Sequence, residues 1–298
     1  MPQQQILIVG AGPTGLVLAI GLARRGVPFR IIDQAAGPGE ASRAIVVHAR
    51  TLEFYAQLGF ADAVIAEGIR SDAIHLRERD GAGGSHEVIR IALGDLGAGL
   101  SPYPYLLSYP QDLHERLLER QLAALGVTVE RGTALTAFHQ DAAQVTATLA
   151  GPRGSETASF AYLCGCDGAH SAVRSGLGIA FDGGTYEQPF YVTDVRIEGN
   201  ADDDLYLNLG KDILALKFPV RMTGMHRLIG LVPPHLAEKA DLTFEDLRAE
   251  VEELVGIRVA QVNWFSRYRV HHRVAGTFRV GRAFLLGDAG HIHSPVGG

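Results

Sequence analysis

Residues 5–26, QILIVGAGPTGLVLAIGLARRG, pass from a short unbroken apolar run through a glycine turn into a longer apolar run ending on Arg24, Arg25 and Gly26. That order predicts a buried strand, a tight turn and a helix whose last turn is cationic and whose cap is glycine. VPFRIIDQ, residues 27–34, predicts a second strand closing at Asp33. Strand, helix and strand in so short a span imply parallel pairing with a right-handed crossover. RTLEFYAQLG (50–59) reads as a helix stopped by Gly59. In YPQDLHERLLERQLAALG (109–126), Leu113, Leu117, Leu118, Leu122 and Leu125 form one stripe before Gly126. VTVERG follows as a strand, and alternating runs over 133–139, 144–150 and 156–164 predict an antiparallel meander. CGCDGAHSAVRSGLG leaves it for a short helix that Ser171 caps.

From about residue 179 the rhythm changes to short alternating strands: FYVTDVRIEG, DLYLNLG, ILALKFPV and MHRLIGLVP. They predict an antiparallel sheet with one wetted face. One helix interrupts it, with Thr243 and Asp246 as a capping box and Leu247, Val251, Leu254 and Val255 as its buried stripe. Residues 74–100 hold further strand-like pieces suited to the same sheet. The expected fold class is α/β: a Rossmann-like nucleotide-binding domain of parallel sheet plus antiparallel meander, over 1–73, 101–178 and 276–298. It is interleaved with a smaller, mainly antiparallel β-sheet domain over 74–100 and 179–275.

Gly10-Ala11-Gly12-Pro13-Thr14-Gly15 matches G-x-G-x-x-G. The first glycine serves the turn, the second lets a pyrophosphate approach the backbone, and the third lets helix and strand pack. The motif leaves a strand, opens a helix and is followed 18 residues after Gly15 by Asp33, placed to accept from a ribose. At the other end, RAFLLG delivers Asp288 to the carboxyl end of a strand, where open α/β sheets bind ligands. An acid near each end of the chain suits a long dinucleotide.

Composition narrows the partners. With a net charge of −6 over 298 residues, no basic face is expected for nucleic acid, so an anionic ligand must be held by local arginines and backbone amides. The apolar run over 6–22 is interrupted by glycines and Pro13, and no stretch is long enough to span a membrane. Cys164 and Cys166, two apart, point the same way along a strand and suit buried thiols in a reducing, cytoplasmic setting rather than a disulfide. His291 with His293, and His271 with His272, stand without a carboxylate cluster at ligand spacing, so no metal is expected.

Three motifs in order carry a family resemblance: the amino-terminal glycine motif with Asp33, DGAHSAVR at 167–174, and GRAFLLGDAGHIHSPVGG at 281–298. SRAIVVHARTLEFYAQLG and YPQDLHERLLERQL add to it. The sequence resembles the FAD-dependent aromatic hydroxylases, single-component flavoprotein monooxygenases related to para-hydroxybenzoate hydroxylase, and is most similar to their phenol and polyketide hydroxylase branch. The resemblance implies FAD as cofactor, NAD(P)H as a transient reductant, O2, and a small aromatic substrate hydroxylated through a C4a-hydroperoxide of the flavin. It assigns Gly10, Gly12 and Gly15 to the FAD pyrophosphate and Asp33 to the adenosine ribose. Arg43 and Gln111 would meet the phosphate and ribityl portion. Asp167 and Gly168 belong to a motif shared by FAD and the nicotinamide donor, braced by Arg174. Asp288 would meet the ribityl–pyrophosphate region, and Pro295, Gly297 and Gly298 would lie beside the flavin ring. No catalytic side chain is singled out.

Blander readings stand beside these. Gln111 also suits a helix cap, Arg50 an i,i+3 ion pair with Glu53, and Trp264 and Phe265 the sheet core. A related FAD-dependent dehydrogenase or reductase, or a non-catalytic nucleotide-binding fragment, remains open. The family pattern continues past PVGG, so the sequence reads as a shortened chain with weakened FAD affinity and impaired hydroxylation. The substrate, NADH against NADPH, and the oligomeric state are not encoded in any pattern here.

Overall fold

The computed structural model describes residues 5–39, 44–79, 85–199, 202–220 and 224–294. They divide between two units, one of 1–42, 111–184 and 271–298, the other of 43–110 and 185–270.

The first unit is built on the predicted strand–helix–strand. Strand Ile6–Val9 leads into helix Pro13–Arg24, with Pro13 at the first helical position and Gly26 at φ +65 beyond its end, and then into strand Phe29–Asp33. Ile6–Val9 lies between Phe29–Asp33 and Tyr162–Gly165, parallel to both. Tyr162–Gly165 continues the parallel pairing to Ala283–Leu285. Arg279–Val280 and Glu130–Arg131 close the two edges of this six-stranded sheet. The meander Ala134–Gln140, Val145–Gly151 and Gly154–Phe160 is antiparallel as expected. The run read as one strand over 156–164 breaks, however. Ala161 donates its amide to the carbonyl of Gln5, which hands the chain from the meander to the parallel sheet. Leu7, Val9, Ile32, Leu163, Val145 and Leu285 share one core between the two sheets.

The second unit contains a seven-stranded sheet, ordered Val259–Tyr268, Phe190–Ile197, Met225–Leu231, Leu214–Val220, Leu205–Leu209, Ala73–Arg79, Ser85–Ala92. All neighbours are antiparallel except Leu205–Leu209 with Ala73–Arg79. The expected wetted face is absent from its centre: residues 190–195 are all buried. Helix Phe244–Val255 covers one face with Leu247, Val251 and Leu254 against Tyr191, Ala215 and Leu228. Ile45, Val46 and Leu106 pack with Phe190, Val192 and Phe218 on the other. The helix starts as read, Asp246 Oδ2 accepting from the amide of Thr243 at 2.9 Å.

The boundaries between the units also shift. Residues 43–73 and 101–110 fall in the second unit, because Val46–Val47, Leu106–Ser108 and Ile69–Ser71 form a small sheet whose apolar residues join that core. Residues 179–184 and 271–275 fall in the first, where Phe181–Thr185 and His271–Ala275 pair and Ala275 packs in the first core. No helix among the described residues is long and apolar enough to cross a membrane.

Candidate functional site

Three adjacent parallel strands, Ile6–Val9, Tyr162–Gly165 and Ala283–Leu285, release their carboxyl ends side by side. Each then carries one motif: Gly10–Gly15, Asp167–Gly168 and Gly287–Asp288. Backbone bonds hold the exits together, Cys166 N to Val9 O at 2.7 Å and Leu286 N to Gly165 O at 2.9 Å.

The three glycines of the first motif have different surroundings. Gly10 has φ +99, and a Cβ there would lie 2.2 Å from the carbonyl oxygen of Cys166. A Cβ on Gly15 would lie 2.0 Å from the carbonyl oxygen of Gly10. A Cβ on Gly12 would meet nothing within 4 Å. Gly10 and Gly15 therefore close the turn against its neighbours, while Gly12 fronts open space at the start of helix Pro13–Arg24, where first-turn amides lack intrahelical acceptors. Gly287, φ +59, packs so close to Thr14 that a Cβ would sit 2.4 Å from its hydroxyl, which brings Asp288 beside that helix start.

Asp33 is already engaged. Its Oδ2 accepts from the amide of Ala11 at 2.7 Å and its Oδ1 from that of Ala35 at 2.8 Å, with Arg131 Nη1 at 3.6 Å. It locks the glycine turn to its strand, and each oxygen keeps a lone pair for a further donor. Glu119 and Arg131, paired at 2.7 Å nearby, line cavities of about 520 and 410 Å³ respectively.

Asp167 Oδ2 caps helix Ala172–Gly176 by accepting from the amides of Ala172 and Val173 at 2.7 and 3.2 Å. Its Oδ1 is buried without a hydrogen-bond partner among the described residues, the state of an acceptor awaiting a donor. Ser171 caps the same helix through Arg174 N at 3.0 Å. Arg174 is buried and joins two motif loops, donating to Ala289 O at 2.9 Å and Ala169 O at 2.7 Å with its guanidinium 3.8 Å from the Phe181 ring centre. Burial lowers its pKa, which Asp167 partly restores.

Asp288 is exposed, yet the surrounding chain crowds its carboxyl enough to raise its pKa, while His291 and His293 pull it down. Those two imidazoles stack on each other, and no cluster able to hold a metal occurs among the described residues. Gln111 begins helix Gln111–Ala124 and donates Nε2–H to Glu115 Oε1 at 2.8 Å, while Glu115 Oε2 accepts from Gly39 N at 3.1 Å. Arg43, Pro295, Gly297 and Gly298 lie outside the described residues. Cys164 and Cys166 are free, buried thiols with pKa values raised by burial, Cys164 to about 11.

A family model described as an FAD binding domain matches residues 3–298. The chain belongs to that family of FAD binding domains. The domain is 35% identical over 305 aligned residues to the 12-dehydrotetracycline 5-monooxygenase/anhydrotetracycline 6-monooxygenase of Streptomyces rimosus, covering 98% of this chain and 58% of that one. It is 33% identical to the pentachlorophenol 4-monooxygenase of Sphingobium chlorophenolicum, covering 98% and 54%. The solved flavin-dependent monooxygenase PieE, in complex with FAD and substrate, superposes with a TM-score of 0.83 at 29% identity, over 98% of this chain and 54% of that one. The domain thus spans little more than half the length of these relatives.

The residues of the domain fit FAD on the geometry alone. Open space before Gly12 suits a pyrophosphate, and the orphan Asp167 oxygen suits a hydroxyl or amide donor. The glycine and strand-end signals were visible in sequence. The Gly287–Thr14 contact was not, since nothing in either residue type announces a meeting across more than 270 positions.

Proposed function

We propose that this chain is the FAD-binding and β-sheet portion of an NAD(P)H-dependent flavoprotein monooxygenase that hydroxylates a phenolic or polyketide aromatic. The observation that carries the proposal is the gathering of three motifs at adjacent strand ends, with Gly12 open and Asp167 Oδ1 unpartnered. The named activities of the relatives, on tetracycline intermediates and a chlorinated phenol, support the substrate class.

In this reading the first-turn amides beyond Gly12 bind the pyrophosphate and Gly10 and Gly15 hold that turn in shape. Asp33 accepts from the adenosine ribose with its remaining lone pairs. Asp167 Oδ1 accepts from the cofactor or from the nicotinamide donor, Gly168 lets that ligand approach, and Arg174 fixes the distance between the second and third motifs. Asp288 orients the ribityl portion and Gln111 joins the phosphate–ribityl shell. When bound, FAD supplies the redox chemistry between NAD(P)H, O2 and the aromatic. The protein contributes position, a dry site and fixed dipoles.

The test is the purified chain given FAD, NAD(P)H, a phenol and 18O2. Hydroxylated product is expected in low yield from this portion alone, each molecule carrying one labelled oxygen atom. Substrate oxidation without label would replace the proposal with a dehydrogenase, and FAD uptake with no turnover would reduce it to a binding module.

A further inference from the structure

The flavin motifs leave unused one buried cluster in the second unit. Asp194 and Arg227 face each other across the antiparallel pair Phe190–Ile197 and Met225–Leu231. Arg227 donates Nε–H to Asp194 Oδ1 at 2.7 Å and Nη2–H to Oδ2 at 2.9 Å, a two-pronged pairing. Trp264, opposite Asp194 on the neighbouring strand, donates Nε1–H to Oδ2 at 2.8 Å, and the guanidinium carbon lies 5.5 Å from the indole centre. Asp194 is 7% exposed and Arg227 3%.

Strand alternation puts this cluster on the sheet face away from helix Phe244–Val255, following Phe190 and Val192 along one strand. Its surroundings there are apolar, and Ile74, Leu216 and Trp264 remain only partly buried. The other cation that alternation puts on this face along Phe190–Ile197 is Arg196, exposed at the strand's end. A guanidinium held among apolar side chains is a two-pronged receptor for a carboxylate. Asp194 occupies that receptor from within the protein, so around the pair the face offers an indole and apolar side chains with the guanidinium's charge cancelled.

Resting on the aromatic-monooxygenase reading, we infer that Asp194 is a positioning residue for substrate choice: by occupying Arg227 it sets this sheet face for uncharged aromatic rings and against aromatic acids. A carboxylate brought to this apolar face gives up its hydration and finds the guanidinium already taken, whereas an uncharged ring gives up far less. The consequence is discrimination by charge, with little discrimination by shape.

Trp264 is the single tryptophan of the chain, so its fluorescence reports on this face without any turnover. The probes are 4-hydroxybenzamide and 4-hydroxybenzoate, alike in shape and different in charge, titrated into the FAD-supplemented chain near neutral pH. At least tenfold tighter binding of the amide is expected. Asp194→Asn should move that ratio toward the acid by tenfold or more. Should the single variant fail to fold, the uncharged pair Asp194→Asn with Arg227→Gln tests the same point. It should keep the ratio within threefold of wild type, because receptor and occupant have been removed together. Equal binding of both probes by wild type overturns the inference, as does an unmoved ratio in a folded Asp194→Asn chain. So does a tenfold gain for the acid in the double variant. Hydroxylation with 18O incorporation but no charge preference would defeat the inference and leave the monooxygenase reading intact. No fluorescence response to either probe overturns the placement of substrate on this face.

Discussion

At the strand ends of the first unit, backbone does the holding. Gly10, Gly12 and Gly15 shape the turn that opens helix Pro13–Arg24, and Asp33 serves that turn through the amide of Ala11. On the face of the second unit's sheet away from helix Phe244–Val255, side chains do it: a carboxylate, a guanidinium and an indole from three strands converge in a buried cluster. The first arrangement tolerates no added atom at two positions and is indifferent to side chains elsewhere. The second depends on three side chains and on no special backbone conformation. In the function proposed above, this division would entrust the cofactor to backbone and the choice of substrate to side chains.

The largest expected effect tests the backbone half. Gly10→Ala forces a Cβ against the Cys166 carbonyl at positive φ and should cost on the order of 5 kcal/mol or abolish folding. Gly12→Ala, with open space and an extended conformation, should melt within a few degrees of wild type yet lose tenfold or more in FAD affinity. Thermal melts beside FAD titrations check both, and equal behaviour of the two variants would erase the distinction between closing and ligand-facing glycines. Next comes the side-chain half. Arg227→Met leaves Asp194 buried and unmatched, an expected loss of about 3 kcal/mol in urea melts, whereas Arg227→Met with Asp194→Leu should recover most of it.

The smallest effect sharpens the comparison from inside the backbone-built unit. Burial in helix Gln111–Ala124 pulls the His114 imidazole down to about 4, from 6.5 in the unfolded chain. Between those values the unfolded state binds the extra proton, so stability is complete above about pH 6.5 and falls as pH drops toward 4. The summed loss is about 3 kcal/mol at the acid end and nothing at neutrality. Urea melts of His114→Leu at about pH 4.5 and 7.5 should show a flatter acid limb. An unchanged limb would assign the acid sensitivity to carboxylates instead.

The same division explains what was legible in the residues alone. Strand Phe29–Asp33, helix Gln111–Ala124, the Ser171 cap and the Thr243–Asp246 box were readable because each is decided within a few neighbouring positions. The end of the meander at Phe160 was not, because the bond that ends it comes from Gln5. The second sheet's covered face escaped for a related reason: alternation shows that one face is apolar, while the other is covered in part by residues as distant as Ile45 and Leu106. Arg50 and Glu53 formed the expected local pair, while Asp194 and Arg227 left only a faint trace, a charge at an inward-facing position of each of two strands. Glycines in a loop announce a site; paired charges on separate strands do not.

The interleaving of the two units has a consequence for how the protein comes into being. The chain passes between them four times, through 1–42, 43–110, 111–184, 185–270 and 271–298. Ile6–Val9 must wait for Tyr162–Gly165, more than 150 positions later, and that strand waits for Ala283–Leu285. Neither unit can finish during synthesis while the other stands by. Closing such long loops is entropically costly and makes folding slow. In that interval the apolar strand Ile6–Val9 has one unpaired edge, the kind of exposed edge that chaperones shield and from which aggregation starts.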